Sequence, residues 1–158
     1  MAIKYRKAEI ADIPELVRLR IEFLGVARDK ILPPELIATL ETTNTEFMTT
    51  GLLDGSLVVF IAEDFEKGGK IIATSGIMFY RLMPNPMCAD GKRAYIANMY
   101  TIPDYRRKGI ATRLVELQLD EARARGVKAV FLSATSEGRF VYNKIGFEKV
   151  EDEMIYRF

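Results

Sequence analysis

Apolar and polar positions recur along this chain with two periods, and the switches between them mark out a series of short elements. Residues 2–7 alternate apolar and basic positions, the period of a half-buried strand. Ile13, Val17, Ile21 and Leu24 then recur at helical spacing, with Leu16 and Phe23 widening the stripe. Asp12-x-x-Glu15, with Pro14 in the first turn, reads as a capping box opening that helix. A second helical pattern starts at Pro34, runs through Leu36, Ile37 and Leu40, and ends before Gly51. The polar run Thr42-Thr43-Asn44 leaves open whether this is one helix or two.

Asp54-Gly55 reads as a turn, and Leu57 to Ala62 is apolar and branched throughout, the pattern of a strand buried on both faces. Gly68-Gly69 closes a hairpin onto a longer strand, Ile71 to Leu82. A polar loop from Met83 to Lys92 leads into the strand Tyr95 to Ile102. Ile110, Ala111, Leu114, Val115, Leu117 and Ala122 form the wide apolar face of a further helix. Glu121 and Arg125 are spaced to pair on it, and Gly126 stops it. A strand at 129–133, a short helix around Tyr142 and a closing strand from Met154 to Phe158 complete the order. The closing strand alternates and is aromatic, so it either completes the sheet or lies at an interface, as in a homodimer. Strands interleaved with helices in this order predict a mixed α/β layer fold. No linker, repeat or low-complexity tract divides the chain, so 1–158 reads as one domain.

Composition narrows the chemistry more than the fold. The chain has no histidine, which removes imidazole-based zinc sites, Ser-His-Asp hydrolysis and Cys-His catalysis. No metal site is expected; the reaction must use carboxylates, tyrosine, lysine, backbone dipoles or a co-substrate. A net charge of +1 argues against bulk nucleic-acid or anionic-membrane binding. A single cysteine, Cys88, excludes an internal disulfide framework. With no long apolar run and no apolar core at the N-terminus, the expected compartment is the cytoplasm.

The most informative run is Arg106-Arg107-Lys108-Gly109-Ile110-Ala111-Thr112, set between the strand ending at Ile102 and the helix ending near Gly126. Glycine and cations at a strand-to-helix turn can aim backbone N–H groups outward at an anion. Gly109 permits close approach, and Ala111 keeps the first helical turn free of bulk. An ordinary basic loop capping an ordinary helix has the same composition.

A second run changes the balance. Arg106-x-x-Gly109-x-Ala111, with its Pro103-x-Tyr105-Arg106 lead-in, resembles the coenzyme A pyrophosphate loop of the GCN5-related N-acetyltransferases, the GNAT superfamily. Tyr142-x-x-x-Gly146-Phe147 resembles the late helix and turn of the same family, and the likeness extends over essentially the whole chain. It implies a central mixed sheet of about six to seven strands, splayed at the middle and flanked by about four helices.

The resemblance also implies a division of labour. Arg106, Arg107, Lys108, Gly109, Ile110, Ala111 and Thr112 would hold the diphosphate of acetyl-CoA. A bulge in the strand carrying Met99, Tyr100 and Thr101 would admit the pantetheine arm, and an N–H at Met99 or Tyr100 would face the developing oxyanion. Tyr142 would protonate the departing thiolate, and Ser133 would touch coenzyme or substrate. Arg20, Glu22, Phe23, Asn85 and Asn98 would line the acceptor pocket. Many relatives place Glu or His on the central strand as a base, whereas this strand offers Tyr95, Asn98 and Tyr100. Glu22, Glu63, Asp90 and Glu137 are the remaining carboxylate candidates.

The expected activity is acetyl transfer from acetyl-CoA to a primary amine of a small molecule or peptide. Alternatives are acetylation of protein N-termini or lysines, and a catalytically weak acyl-CoA sensor. A P-loop nucleotide site is disfavoured because Gly109 lacks the following Lys-Ser/Thr.

Overall fold

The computed structural model describes residues 2–28, 31–136, 138–151 and 154–158. Its elements are β1 (Ile3–Lys7), α1 (Ile13–Arg28), α2 (Pro34–Asp54), β2 (Leu57–Asp64), β3 (Lys70–Arg81), β4 (Lys92–Thr101), α3 (Ile110–Ala124), β5 (Val130–Leu132) and α4 (Arg139–Ile145). The strands form one sheet in the order β1-β2-β3-β4-β5, antiparallel up to β4, with β5 parallel to β4 across the α3 crossover.

Helices cover both faces. The continuous apolar run of β2 is explained by its place inside the sheet: all eight of its residues are buried. Val58, Phe60 and Ala62 pack with Ile110, Leu114, Val115 and Tyr142 on the α3–α4 face. Leu57, Val59 and Ile61 pack with Ile13, Leu16, Val17 and Leu19 on the α1–α2 face. Leu114 is fully buried, and truncating such a leucine to alanine costs about 2–5 kcal/mol.

Two departures from the sequence expectation in the helices have physical causes. Asp12 does not cap α1 through Glu15. Its carboxylate turns back to accept the Glu9 N–H at 2.7 Å and two bonds from Arg6 at 2.7 and 2.9 Å, while Glu15 pairs with Arg18. The second helical pattern is one helix and runs past Gly51 to Asp54, ending on Gly55 in the left-handed conformation. The hydroxyls of Thr39, Thr42, Thr45 and Thr49 bond back to carbonyls four residues earlier, so the polar run does not break it. Gly51 is a packing glycine, since a Cβ there would come within 2.5 Å of the Leu57 Cβ.

The sheet has five strands among the described residues, fewer than the six or seven expected. The difference lies at the C-terminus, where residues 154–158 form no strand. Met154, Ile155, Tyr156 and Phe158 are exposed, and Tyr156 and Phe158 contact each other edge to face. Strand propensity without a paired neighbour leaves an alternating aromatic segment unassigned.

The feature that positions the site is the end of β4. Thr74 pairs with Tyr100 and Gly76 with Ala97, so Ser75 alone faces both Asn98 and Met99. That is a β-bulge on β4, with Asn98 in the left-handed region at φ 59°. Pairing with β5 stops at Ile96–Leu132, yet β4 continues to Thr101. From Ala97 onward, β4 has no strand on its β5 side among the described residues.

Candidate functional site

β4 runs directly into the basic turn. Pro103–Tyr105 form one 3-10 turn, Arg106 is extended, and Arg107 and Gly109 both take positive φ, 61° and 77°. A non-glycine residue in the left-handed region is uncommon and marks a specified backbone shape. Gly109 is the residue before α3, whose first turn has no side-chain cap and no acidic residue. The N–H groups and the positive dipole end of α3 are therefore not compensated from within the helix. A Cβ on Gly109 would meet nothing within 4 Å, so the space beside that residue is open.

Side chains hold this turn in place. Tyr105 is buried, and its hydroxyl donates to the Asp64 carboxylate at the end of β2. Arg106 Nε donates to the Thr101 carbonyl at 3.0 Å, and its guanidinium lies 5.8 Å from the centre of the Tyr100 ring. Lys108 Nζ donates to the Asp104 carbonyl at 2.9 Å and sits 4.9 Å from the Tyr105 ring centre. Arg107 is exposed. The Tyr105–Asp64 bond was not foreseen; its only sequence signal is the Pro103-x-Tyr105 lead-in.

Tyr100 points to the opposite face, where it is buried against α1. Its hydroxyl donates to Glu22 Oε1 at 2.6 Å, and Glu22 Oε2 accepts from Arg18 at 2.9 Å. Burial, reinforced by the Glu22 carboxylate, pushes the Tyr100 phenol up to about 12. Phe23 packs on Tyr100 with ring centres 5.7 Å apart, and the Arg20 guanidinium lies 5.7 Å from the Phe23 ring centre. Burial holds the Arg20 pKa below its ordinary value. The Asn98 Oδ1 atom is buried with no hydrogen-bond partner. Glu22 and Phe23 thus both meet Tyr100, and Arg20 joins them through the Phe23 ring.

Asn85 is not part of this group. Its Oδ1 accepts the N–H groups of Met87 and Cys88 and shapes the loop before β4. Nor do the other carboxylates supply an obvious base. Glu63 is buried and accepts from Arg6 Nη2 at 2.6 Å and Nε at 3.1 Å, which makes it a structural ion pair. Asp90 accepts the Lys92 N–H at 3.0 Å within its loop. Glu137 lies outside the described residues.

Tyr142 is buried on α4, with its ring edge to face against Phe147 at 5.7 Å. Burial raises its pKa above that of a free phenol, so it remains protonated at neutral pH. Tyr142 shares a buried cluster with Ile110 at the start of α3. It also lines, with Ser133, Ala122, Val130 and Phe147, a cleft of about 890 Å³ that no residue from 97 to 112 lines. Ser133 is exposed, with its hydroxyl 2.6 Å from that of Tyr95. The turn and the cleft are therefore separate surfaces on one face of the sheet. Among the described residues, no cluster of three metal-binding side chains occurs, and no helix is long and apolar enough to cross a membrane.

A sequence model of the Acetyltransferase (GNAT) family matches residues 22–147. A crystal structure of a predicted acetyltransferase with acetyl-CoA from Clostridium acetobutylicum superposes with a TM-score of 0.89 at 33% identity, covering 99% of this chain and 96% of that one. A GCN5-related N-acetyltransferase from Ralstonia eutropha superposes with a TM-score of 0.85 at 26% identity, covering 99% of each chain. Glucosamine-6-phosphate N-acetyltransferase from Arabidopsis thaliana shares the fold, with a TM-score of 0.71 at 23% identity, over 100% of this chain and 99% of that one. A search of curated proteins finds no match.

Proposed function

This chain belongs to the Acetyltransferase (GNAT) family, and from that premise we propose that it moves the acetyl group of acetyl-CoA directly onto a primary amine of a small molecule or peptide. The observation that carries the donor half is the turn before α3. Positive φ at Arg107 and Gly109, an uncapped helix start and open space over Gly109 together make a cradle that a diphosphate fits. The Clostridium acetobutylicum relative, one third identical in sequence, was crystallised with acetyl-CoA.

Acetyl-CoA supplies the acyl group already activated as a thioester. In this reading, the N–H groups of Arg107, Lys108, Gly109, Ile110, Ala111 and Thr112 hold the diphosphate, with Arg106 bracing the turn from Thr101. The free edge of β4 at Met99, Tyr100 and Thr101 receives the pantetheine arm as an added strand. An N–H at Met99 or Tyr100 meets the negative charge that develops on the thioester oxygen. Tyr142, still protonated at neutral pH, donates its proton to the departing sulfur, and Ser133 contacts the coenzyme. Arg20, Glu22, Phe23 and Asn98 face the acceptor.

Of the carboxylate candidates for a base, Glu22 is engaged by Tyr100 and Arg18, Glu63 by Arg6 and Asp90 by the Lys92 N–H, so in this reading the amine is recruited in its neutral form. The same observation favours the sensor reading, in which coenzyme binds without turnover. A thiol-release assay with acetyl-CoA and a panel of polyamines, amino acids, aminoglycosides and N-terminal peptides separates the two. The enzyme reading expects free thiol with at least one class of amine. Binding of acetyl-CoA with no thiol released across the panel would favour the sensor, and absence of binding would remove both.

A further inference from the structure

Helix α1 pairs its arginines in the opposite sense to the one stability alone would select. Arg18 is exposed, yet it bonds Glu15 at 2.7 Å and Glu22 at 2.9 Å. Arg20 is half-buried, lies against the Phe23 ring, and has no carboxylate or carbonyl partner among the described residues. Arg6 and Arg125, also partly buried, are both satisfied: Arg6 by Asp12 and Glu63, Arg125 by Glu121 and the Gly55 carbonyl at 2.6 Å. A desolvated guanidinium without a partner is unfavourable. Glu22, two residues further on, does not compensate it, because its two oxygens already accept from Tyr100 and Arg18.

A second orphan lies on the facing strand. Asn98 Oδ1 is buried without a donor, at the bulge where β4 leaves β5. Asn98 precedes Tyr100 by two residues on β4, and Tyr100 packs on Phe23, which packs on Arg20. A cation without a carboxylate or carbonyl partner thus lies at one end of an aromatic pair, and a buried acceptor without a donor belongs to the strand that carries the other end. Such an arrangement fits a ligand that is anionic at one end and carries N–H at the other.

We infer that the acceptor is a primary amine bearing an anionic group, carboxylate or phosphate, with Arg20 binding the anion and Asn98 Oδ1 accepting an N–H from the amine. This rests on the acetyl-transfer reading for the amine but not for the anion site. Arg20 is a specificity-determining residue, and its removal relieves an uncompensated charge. Arg20→Met is therefore expected to leave the thermal midpoint of the ligand-free protein unchanged or higher.

The test has two arms. Inorganic phosphate and succinate are titrated separately into the coenzyme A-loaded protein, so that the diphosphate turn is already filled, and thermal midpoints are recorded. One of the two should stabilise the wild-type protein saturably, and Arg20→Met should weaken that binding at least tenfold. Which anion acts distinguishes a phosphate from a carboxylate. In the second arm, thiol release is compared for matched pairs, glycine with glycinamide and phosphoethanolamine with ethanolamine. The anionic member should have a KM at least tenfold lower, and Arg20→Met should erase that advantage with kcat changed less than twofold. Should Arg20→Met lower the midpoint, Arg20→Gln gives the same comparison. Anion stabilisation that is absent, or that persists in the variant, overturns the inference. Acetyl transfer without charge discrimination overturns it too, and leaves the acetyl-transfer reading standing. Anion binding through Arg20 with no transfer to any amine has the reverse meaning.

Discussion

At the turn before α3, side chains are occupied by the fold and the N–H groups of an uncapped helix start are left over; between α1 and β4, two side-chain groups are left over instead. Tyr105, Arg106 and Lys108 bond Asp64, Thr101 and Asp104, so the turn is held while the space beside Gly109 stays open. Between α1 and β4, Arg20 lies against the Phe23 ring without a carboxylate or carbonyl partner among the described residues, and Asn98 Oδ1 is buried without a donor. The contrast matches two recognition problems. A diphosphate is invariant and can be read by backbone amides that no side-chain substitution removes. An acceptor differs between enzymes and must be read by side chains.

The comparison breaks first at Tyr142, which belongs to neither region. If Tyr142 delivers the proton to sulfur, Tyr142→Phe should lower kcat at least tenfold, within the ~10²–10⁴-fold range of general acids, and leave acetyl-CoA affinity unchanged. Steady-state thiol release with calorimetric binding checks this, and unchanged turnover removes the role.

The turn before α3, proposed above to hold the diphosphate, is tested next. Gly109→Val forces a β-branched residue to φ 77°, where the left-handed conformation costs roughly 1–2 kcal/mol, and fills the space over the N–H groups. Because a Cβ there meets no protein atom within 4 Å, folding loses only that strain. Acetyl-CoA affinity should fall at least tenfold, more than the strain explains. A loss of stability with affinity retained would make Gly109 a purely structural glycine.

The smallest effect concerns the scaffold that both regions share. Arg6 bonded to Asp12, and Lys7 bonded to Glu121 with Arg125 behind it, hold these carboxyls below the ordinary range. A depressed folded pKa gives stability that is full above the unfolded value, about 4, and is lost as pH falls through the folded one. Thermal midpoints should therefore drop below about pH 4, and Asp12→Asn should flatten that drop. An acid slope identical in the variant would assign it to other groups.

Local patterns carried much of this into the sequence. The basic turn, the α3 face and the Gly68-Gly69 hairpin depend on neighbours within a few residues, and all three are readable there. The same locality misled at Gly51, where the glycine faces Leu57 rather than ending a helix, and at Asp12, whose partner is Arg6. What sequence could not show are contacts between distant segments. The Tyr105–Asp64 bond, the Tyr100–Glu22 bond and the unpaired state of Arg20 each depend on packing across the sheet. The closing segment 154–158 has the alternation of a strand, but alternation does not supply a neighbour to pair with.

Hydrogen exchange of the whole protein, followed by peptide with and without saturating acetyl-CoA, addresses the donor site most directly, because the turn and the 890 Å³ cleft lie in different peptides. Slowed exchange concentrated in residues 98–112 is the expected result, with the N–H groups of 107–112 among the most protected. Slowing confined to 127–150, with 98–112 unchanged, would place the coenzyme in the cleft and contradict the turn as its cradle.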